Sequence, residues 1–187
     1  MMDELSLNIL DIAQNSIVAE ATLVEINVAE NDNTNTLIIQ VKDNGKGMSE
    51  EFLRTADNPF VTTRSTRKIG LGISFLTEAA EMTGGSVALD SKLGSGTTIT
   101  AHFVKNHIDR QPLGDLTGTI IALVSLNPDI DFEISYKVNE NEFIFSTVEV
   151  KEMLGEDARL NQPPIVSFLT EYISEHIKNL SGGQVES

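Results

Sequence analysis

Two pairs of glycines flank a short basic segment in the first half of the chain. The set comprises Asp43 with Gly45 and Gly47, the basic residues Arg64, Arg67 and Lys68, and then Gly70 with Gly72. Glycine allows the backbone to approach a ligand closely because it has no Cβ atom. A helix that begins at the second pair would direct its free N–H groups towards an anion. This spacing predicts a pocket for a nucleotide and its phosphates.

The basic segment is unusual because the chain is acidic overall. Its 187 residues carry 28 Asp and Glu against 13 Lys and Arg, a net charge of −15. Such a surface repels nucleic acid and anionic lipid. The only dense basic cluster of the sequence, Arg64 to Lys68, lies between the glycine pairs, which favours bound phosphates over a DNA backbone. We therefore expect neither nucleic acid nor membrane as a partner.

Composition excludes several classes of protein. The chain has no cysteine, so disulfides and thiolate metal sites are absent. Its first residues, MMDELSLNIL, are acidic and short, which is unlike a signal peptide. No apolar run of about 18 residues occurs, so no transmembrane helix is expected. The sequence predicts a cytoplasmic protein.

Asp43 follows a strand-like run and is suited to hold a purine. A carboxylate fixed at the end of a strand can accept a hydrogen bond from the exocyclic amine of adenine. Gly45 and Gly47 would let the backbone approach the ring. Thr98, on the predicted neighbouring strand, would complete the adenine contacts directly or through a water molecule. Taken alone, Asp43-Asn44-Gly45 is more typical of an ordinary turn.

Asp11 and Asn15 form a polar pair on an otherwise apolar predicted helix, from about residue 4 to residue 21. They are four residues apart and therefore lie on one face. Asn15 offers one neutral amide oxygen, and magnesium prefers oxygen ligands while keeping several waters. Asn15 is thus a candidate magnesium ligand. The alternative for both residues is a solvated helix face.

The predicted elements indicate an α+β fold. Periodicity and turn residues predict helices at 4–21, 49–57 and 70–83, and strands at 22–29, 36–42, 86–91 and 97–104. The strands form hairpins, which implies antiparallel pairing. Three helices would cover one face of a four-stranded sheet, giving a two-layer α/β sandwich. Residues 1–104 are predicted to form this domain.

A second, small αβ domain of unknown role is predicted at residues 117–181, after a polar linker at residues 105–116. It contains an apolar run predicted as a strand at 119–126, a hairpin of 132–138 and 143–150, and helices at 152–160 and 165–180. Residues 182–187 are predicted to be a disordered tail. The part is either a partner-binding or dimerisation module or plain structural packing.

Five motifs of the first domain, taken in order, resemble those of the GHKL superfamily of ATP-binding domains. They are Asp11-x-x-x-Asn15, Asp43-Asn44-Gly45-Lys46-Gly47, Pro59-Phe60-Val61-Thr62-Thr63-Arg64, Lys68-Ile69-Gly70-Leu71-Gly72 and Gly94-Ser95-Gly96-Thr97-Thr98. The superfamily includes histidine kinases, anti-sigma serine kinases, type II topoisomerases, mismatch-repair ATPases and a heat-shock chaperone. The resemblance covers about residues 5–104 and implies the Bergerat-type ATP-binding fold.

The resemblance implies ATP and Mg²⁺ as cofactors and assigns residues to them. The implied nucleotide-binding residues are Asn15, Asp43, Gly45, Gly47, Met48, Phe60, Thr63, Arg64, Arg67, Lys68, Gly70, Leu71, Gly72 and Thr98. Asn15 matches the superfamily's magnesium ligand. Asp11 occupies the position where many members have a Glu as general base, so Asp11 is the predicted catalytic residue. Its shorter side chain leaves two other roles open, to orient a water or to help order the metal shell.

The segment between Phe60 and Gly70 is about nine residues long, and such a short lid looks most like the histidine-kinase branch. Two functions follow from this resemblance. In the first, the protein transfers the γ-phosphoryl group of ATP to a His or Ser of a separate protein. In the second, ATP binding is a switch that controls docking of a protein partner, as in anti-sigma factors. A homodimer formed through the C-terminal part is a further expectation.

Overall fold

The computed structural model describes residues 4–51, 53, 71–155 and 159–182. The helices and strands in chain order are α1 Leu5–Val18, β1 Leu23–Asn31, β2 Thr36–Asp43, α2 Leu71–Glu81, β3 Ser86–Lys92, β4 Gly96–Val104, α3 Leu116–Leu126, β5 Asp131–Val138, β6 Asn141–Ser146, α4 Thr147–Leu154 and α5 Pro163–Ser181.

Within the described residues, six strands form one mixed sheet in the order β3-β4-β2-β1-β5-β6. The strands β1 to β4 pair antiparallel, as the predicted hairpins require. The four strands predicted for the first domain are thereby confirmed. β5 pairs in parallel with β1, and β6 pairs antiparallel with β5, so the sheet continues beyond the predicted four strands.

Helices cover one face of this sheet. The apolar residues of β1 and β2 that point to this face are at most 2% exposed: Val24, Ile26, Val28, Leu37, Ile39 and Val41. The apolar residues of α1 pack into the same core. Alternation of buried and exposed side chains is what a sheet with one covered face requires. The two-layer α+β class predicted from sequence is confirmed.

Residues 119–126 belong to a helix, so the strand predicted for this apolar run is wrong. The helix α3 begins after Asp115, whose Oδ1 accepts a hydrogen bond from the Gly118 N–H at 2.8 Å. Ile120 and Leu123 are fully buried, because α3 packs against both α1 and α5. A short run that is apolar all round does not distinguish a buried helix from a buried strand.

The hairpin predicted in the C-terminal part is confirmed, but its second strand ends at Ser146 rather than at residue 150. The helix α4 begins at Thr147, whose hydroxyl oxygen accepts a hydrogen bond from the Phe132 N–H at 2.8 Å. The helix predicted at 152–160 is wrong, because α4 spans Thr147–Leu154 and ends before most of that range. The last predicted helix is confirmed as α5, which starts at Pro163.

A partly buried ionic cluster joins the C-terminal part to the first four strands. Lys105 Nζ lies 2.7 Å from Asp32 Oδ1 and 3.0 Å from Glu30 Oε2. Tyr136 of β5 donates to Glu30 Oε1 at 2.8 Å, and the Asn139 amide donates to Asp32 Oδ2 at 2.8 Å. We call these five residues the Lys105 cluster. It ties the ends of β1, β4 and β5 together.

Some predictions fall outside the described residues. A helix begins near Ser49, because the Leu53 N–H donates to the Ser49 carbonyl oxygen at 3.0 Å. The predicted end of that helix, the loop at 60–68 and residues 183–187 of the predicted tail all lie outside them. The division into domains at 1–104 and 117–181 stays a prediction.

None of the described helices is long and apolar enough to cross a membrane.

Candidate functional site

A cavity of about 390 Å³ lies between α1, the loop that follows β2 and the start of β4. This size is typical of sites for small ligands. Four predicted site residues line it: Asn15, Asp43, Gly47 and Met48. Apolar residues that the sequence did not single out provide much of the remaining wall: Ile12, Val18, Ala19, Ile73, Leu93 and Ile99. The cavity therefore suits a small, largely apolar ring with a polar edge.

Asp43 is the charged group that this cavity buries most deeply, with 8% of its surface exposed. Its Oδ2 accepts a hydrogen bond from Ser16 Oγ at 2.7 Å, and its Oδ1 accepts from the Gly45 N–H at 2.9 Å. A buried carboxylate is costly without such donors. Two ionised oxygens offer about four lone-pair directions, so Asp43 can still accept from a ligand.

Ser16 is a cavity residue that the sequence did not single out. It lies on the buried side of α1 and is 3% exposed. In the sequence it occupies one position of an apolar helix face, where a serine attracts no notice. Its role becomes visible only because α1 crosses the end of β2 and brings Ser16 to Asp43.

Asn44 and Lys46 anchor the loop that follows Asp43. The Asn44 Oδ1 accepts hydrogen bonds from the N–H groups of Thr22 and Leu23, at 2.9 and 3.0 Å. The Lys46 N–H donates to the Ala19 carbonyl oxygen at 2.9 Å. The loop is thus held by the end of α1 and the start of β1, which fixes the floor of the cavity.

Gly45 and Gly47 are required by the packing of the protein itself. A Cβ atom at Gly45 would lie 2.6 Å from the Ala19 carbonyl oxygen. Gly47 has φ +64°, and a Cβ there would lie 2.1 Å from the Lys92 carbonyl oxygen. Neither contact is tolerated by a side chain. The sequence indicated glycine here for the approach of a ligand, and the structure adds close contacts between backbone segments as a second reason.

The structure brings Thr97 into the cavity and leaves Thr98 outside its lining. Thr97 pairs with Asp43 across β4 and β2, whereas Thr98 pairs with Lys42 on the opposite face of the sheet. Neighbouring residues of a strand point to opposite faces, so of these two threonines it is Thr97 that faces the cavity. The Thr97 hydroxyl lies 2.8 Å from Ser91 Oγ, which also accepts from the Met48 N–H at 2.9 Å.

Among the described residues, Asn15 lines the cavity with a buried side-chain nitrogen, Nδ2, that has no hydrogen-bond partner. Because Nδ2 can only donate, it suits an acceptor of a ligand, such as a phosphate oxygen. Magnesium would instead be held by Asn15 Oδ1. In the described residues, no group of three or more His, Cys, Asp and Glu could hold a metal ion. Asn15 therefore fits magnesium only as one ligand beside phosphate and water oxygens.

Asp11 lies one helical turn before Asn15 and outside the cavity lining. It packs instead on Gly72 at the start of α2, where an added Cβ would lie 1.9 Å from Asp11 Oδ2. Gly72 is therefore required by this contact. The structure thus brings together Asp11 and Gly72, two predicted site residues that are distant in sequence. They meet at the N-terminal end of α2, where free backbone N–H groups are expected.

Six of the predicted nucleotide-binding residues precede α2 in a part of the chain that the structure does not describe. Phe60, Thr63, Arg64, Arg67, Lys68 and Gly70 lie outside the described residues. Leu71 is the first residue of α2.

The family described as "Histidine kinase-, DNA gyrase B-, and HSP90-like ATPase" matches residues 1–107 of this chain. These residues contain the whole described cavity.

Several kinases are similar to part of this chain. The sensor histidine kinase YvrG of Bacillus subtilis is 35% identical over 85 residues, which are 43% of this chain and 15% of that protein. Sporulation kinase D of Bacillus subtilis is 31% identical over 98 residues, covering 52% of this chain and 19% of that protein. The sensor histidine kinase ZraS of Escherichia coli is 29% identical over 112 residues, covering 60% and 24%. The matched region is thus less than a quarter of each relative.

A solved structure shares the fold. The Aquifex aeolicus MutL ATPase domain complexed with ADP superposes with a TM-score of 0.50 at 15% identity, covering 82% of this chain and 70% of that chain. At this identity the likeness shows the arrangement of helices and strands alone.

Proposed function

The chain belongs to the family of histidine kinase-, DNA gyrase B- and HSP90-like ATPases, and from this membership we propose that it binds ATP in the cavity beside Asp43. The family confirms the resemblance on which the sequence assignment was based. One observation carries the proposal for this site. Asp43 is a buried carboxylate with lone pairs to spare, and it lines an otherwise largely apolar cavity of fitting size.

The chain's own residues divide the ligand between two ends of the site. Asp43 would accept a hydrogen bond from the adenine amine, with Ile12, Ile73 and Ile99 against the ring. The start of α2 would face the phosphates, and Asn15 would provide one magnesium ligand. Bound ATP would supply a transferable γ-phosphoryl group.

The first candidate activity is transfer of that group to a His or Ser of a separate protein. The acceptor's nitrogen or oxygen would form the new bond to phosphorus, and ADP would leave with the electron pair of the broken bond. Asp11, beside Gly72, would accept the proton of the acceptor or orient it. The kinases named above, which match over this part of the chain, support this activity.

The second candidate is an ATP-dependent switch with little or no transfer. The position of Asp11 favours it, because this carboxylate packs on Gly72 and is not part of the cavity lining. In this function the nucleotide would control docking of a protein partner. Under either function we propose that the partner is a protein and that the location is cytoplasmic. We also propose a homodimer through the C-terminal part, which the exposed side chains of Phe168 and Tyr172 on α5 support.

Incubation with γ-labelled ATP separates the candidates. The purified protein is tested alone and with cell extract, beside an Asp11→Asn variant. Label on a second protein that disappears with Asp11→Asn supports the kinase. Tight ATP binding without label on any protein supports the switch. Failure of the wild-type protein to bind ATP contradicts both.

A further inference from the structure

Ser16 makes the shortest hydrogen bond to Asp43 in the described site, and we propose that it is the positioning residue through which the cavity selects purines with a 6-amino group. The inference rests on the proposed binding of ATP and adds a determinant of specificity to it. Its basis is the geometry around the two oxygens of Asp43.

The Ser16 hydroxyl has one proton, and the geometry commits it to Asp43. The Oγ–Oδ2 distance is 2.7 Å, whereas the Ile12 carbonyl oxygen, the alternative acceptor one turn earlier, is 3.5 Å away. A distance of 2.7 Å is typical of a hydroxyl that donates to an ionised oxygen. Ser16 and Asp43 are 3% and 8% exposed, so little water competes for either group.

The two donors hold the carboxylate from opposite sides. The Gly45 N–H on Oδ1 belongs to the anchored loop, and the Ser16 hydroxyl on Oδ2 belongs to α1. No Lys or Arg of the described residues forms an ion pair with Asp43. Among the described residues, two hydrogen bonds therefore set the orientation of this carboxylate, and of these only the one from Ser16 comes from a side chain.

A carboxylate held in this way presents acceptors alone to the ligand. The 6-amino group of adenine donates to it, whereas the 6-oxo group of guanine would place an acceptor against an acceptor. A site built around a hydrogen bond discriminates strongly against a ligand that lacks the matching group, because the buried protein group is then left unpaired. Without Ser16, Asp43 is free to rotate and this discrimination weakens.

The hydroxyls of Thr97 and Ser91, which lie near Asp43 in the sheet, are engaged elsewhere. The Thr97 hydroxyl is engaged with Ser91 Oγ at 2.8 Å, and Ser91 itself contacts the Gly96 carbonyl oxygen at 3.0 Å. Neither side chain has a hydrogen bond to Asp43. Loss of the Ser16 hydroxyl therefore removes the single side-chain donor described for this carboxylate.

The test is a double-mutant cycle between Ser16→Ala and the amine of the ligand. Affinities for ATP and for purine riboside triphosphate, which has hydrogen in place of the amine, are measured by calorimetry with magnesium. We expect the wild-type protein to bind ATP about 100-fold more tightly, and Ser16→Ala to reduce this ratio to about tenfold. Affinity for the deaminated ligand should hardly change.

Ser6→Ala is the matched control, since Ser6 is a buried serine of the same helix and donates to Glu4 rather than to the site. It should keep the wild-type ratio, and Ser16→Thr, which retains the hydroxyl, should keep most of it. Circular dichroism confirms that each variant is folded. An unchanged ratio in folded Ser16→Ala overturns the role of Ser16 while leaving ATP binding intact. Absence of ATP binding by the wild-type protein overturns the proposed function and this inference together.

Discussion

The two ends of β1 and β2 both bury charged groups, but they differ in how completely the protein satisfies them. At one end, Asp43 keeps spare lone pairs and Asn15 Nδ2 has no partner. At the other end, the charged nitrogen of Lys105 lies between two carboxylates. Both ends belong to the same strands, so secondary structure does not explain the difference.

The difference indicates that one end of the strands stabilises the fold and that the other end is suited to bind a ligand. Every charged group of the Lys105 cluster meets an opposite charge or a hydrogen-bond donor, so the cluster stabilises the fold and offers a ligand little. The Asp43 end retains unused hydrogen-bonding capacity beside a cavity, at some cost in stability. Substitutions at the first end should change unfolding, and substitutions at the second should change binding.

The largest expected effect follows from Lys105→Met. Removing the cation leaves the carboxylates of Glu30 and Asp32 without the charge that neutralises them, although Tyr136 and Asn139 still donate hydrogen bonds to them. The free energy of unfolding should therefore fall by about 3 kcal/mol. Nucleotide affinity of the folded protein should stay the same. Urea denaturation measures the first quantity and calorimetry the second. Lys137→Met, at an exposed position of β5, is the control and should cost little. A loss of affinity in Lys105→Met would show that the two ends are coupled.

Asp43→Asn is the converse substitution. It replaces an ionised acceptor by a neutral amide, so ATP affinity should fall by on the order of 100-fold. Unfolding should change far less than in Lys105→Met. Asp90→Asn, which makes the same chemical change at an exposed position of β3, should bind ATP like the wild-type protein. Unaltered affinity in Asp43→Asn would refute the assignment of this cavity.

Alkaline pH should reduce the stability that the Lys105 cluster provides and leave the Asp43 end of the strands unchanged. Burial would lower the pKa of Lys105, but the hydrogen bonds and charges of Asp32 and Glu30 outweigh it and raise this pKa above its ordinary 10.5. Burial, together with the hydrogen bond to Glu30, raises the pKa of Tyr136 above its ordinary 10.0.

Both groups thus hold their protons more tightly in the folded chain. The contribution of each group to the free energy of unfolding is complete below about pH 10. It is lost as the pH rises from the unfolded-state pKa towards the folded-state pKa, by up to about 1.4 kcal/mol per pH unit for each group. Urea denaturation from pH 9 to 11 measures it. The double variant Lys105→Met, Tyr136→Phe should show a flatter profile, and a slope equal to that of the wild-type protein would contradict the explanation.

The smallest effect is expected for Asn15→Ala. Loss of one magnesium ligand should weaken ATP binding about fivefold when magnesium is present and hardly at all when it is chelated. Asn179→Ala, at an exposed position of α5, serves as the control. An equal loss with and without magnesium would mean that Asn15 contacts the nucleotide and not the metal.

Features with a local cause could be predicted from the sequence. The hairpins of β1 to β4 follow from alternation and turn residues, and Asp43 follows from the glycine loop behind it. The sequence singled out Thr98 but not Thr97, which lines the cavity, because strand periodicity does not fix the register to one residue. Ser16 and Lys105 were missed as key residues, since their partners Asp43 and Asp32 lie far away in sequence. The predicted strand at 119–126 failed for the reason given above, that its apolar run lacks a period.

The parallel pairing of β1 with β5 has a consequence for how the protein is made. Leu23 pairs with Asp131, so β1 reaches its neighbour only after most of the chain has left the ribosome. Until then β1 presents an open edge of unpaired N–H and C=O groups, which is the kind of edge that recruits other strands. Closing so long a loop also slows folding. During synthesis this edge of β1 is therefore open to pairing with strands of other chains until β5 has emerged.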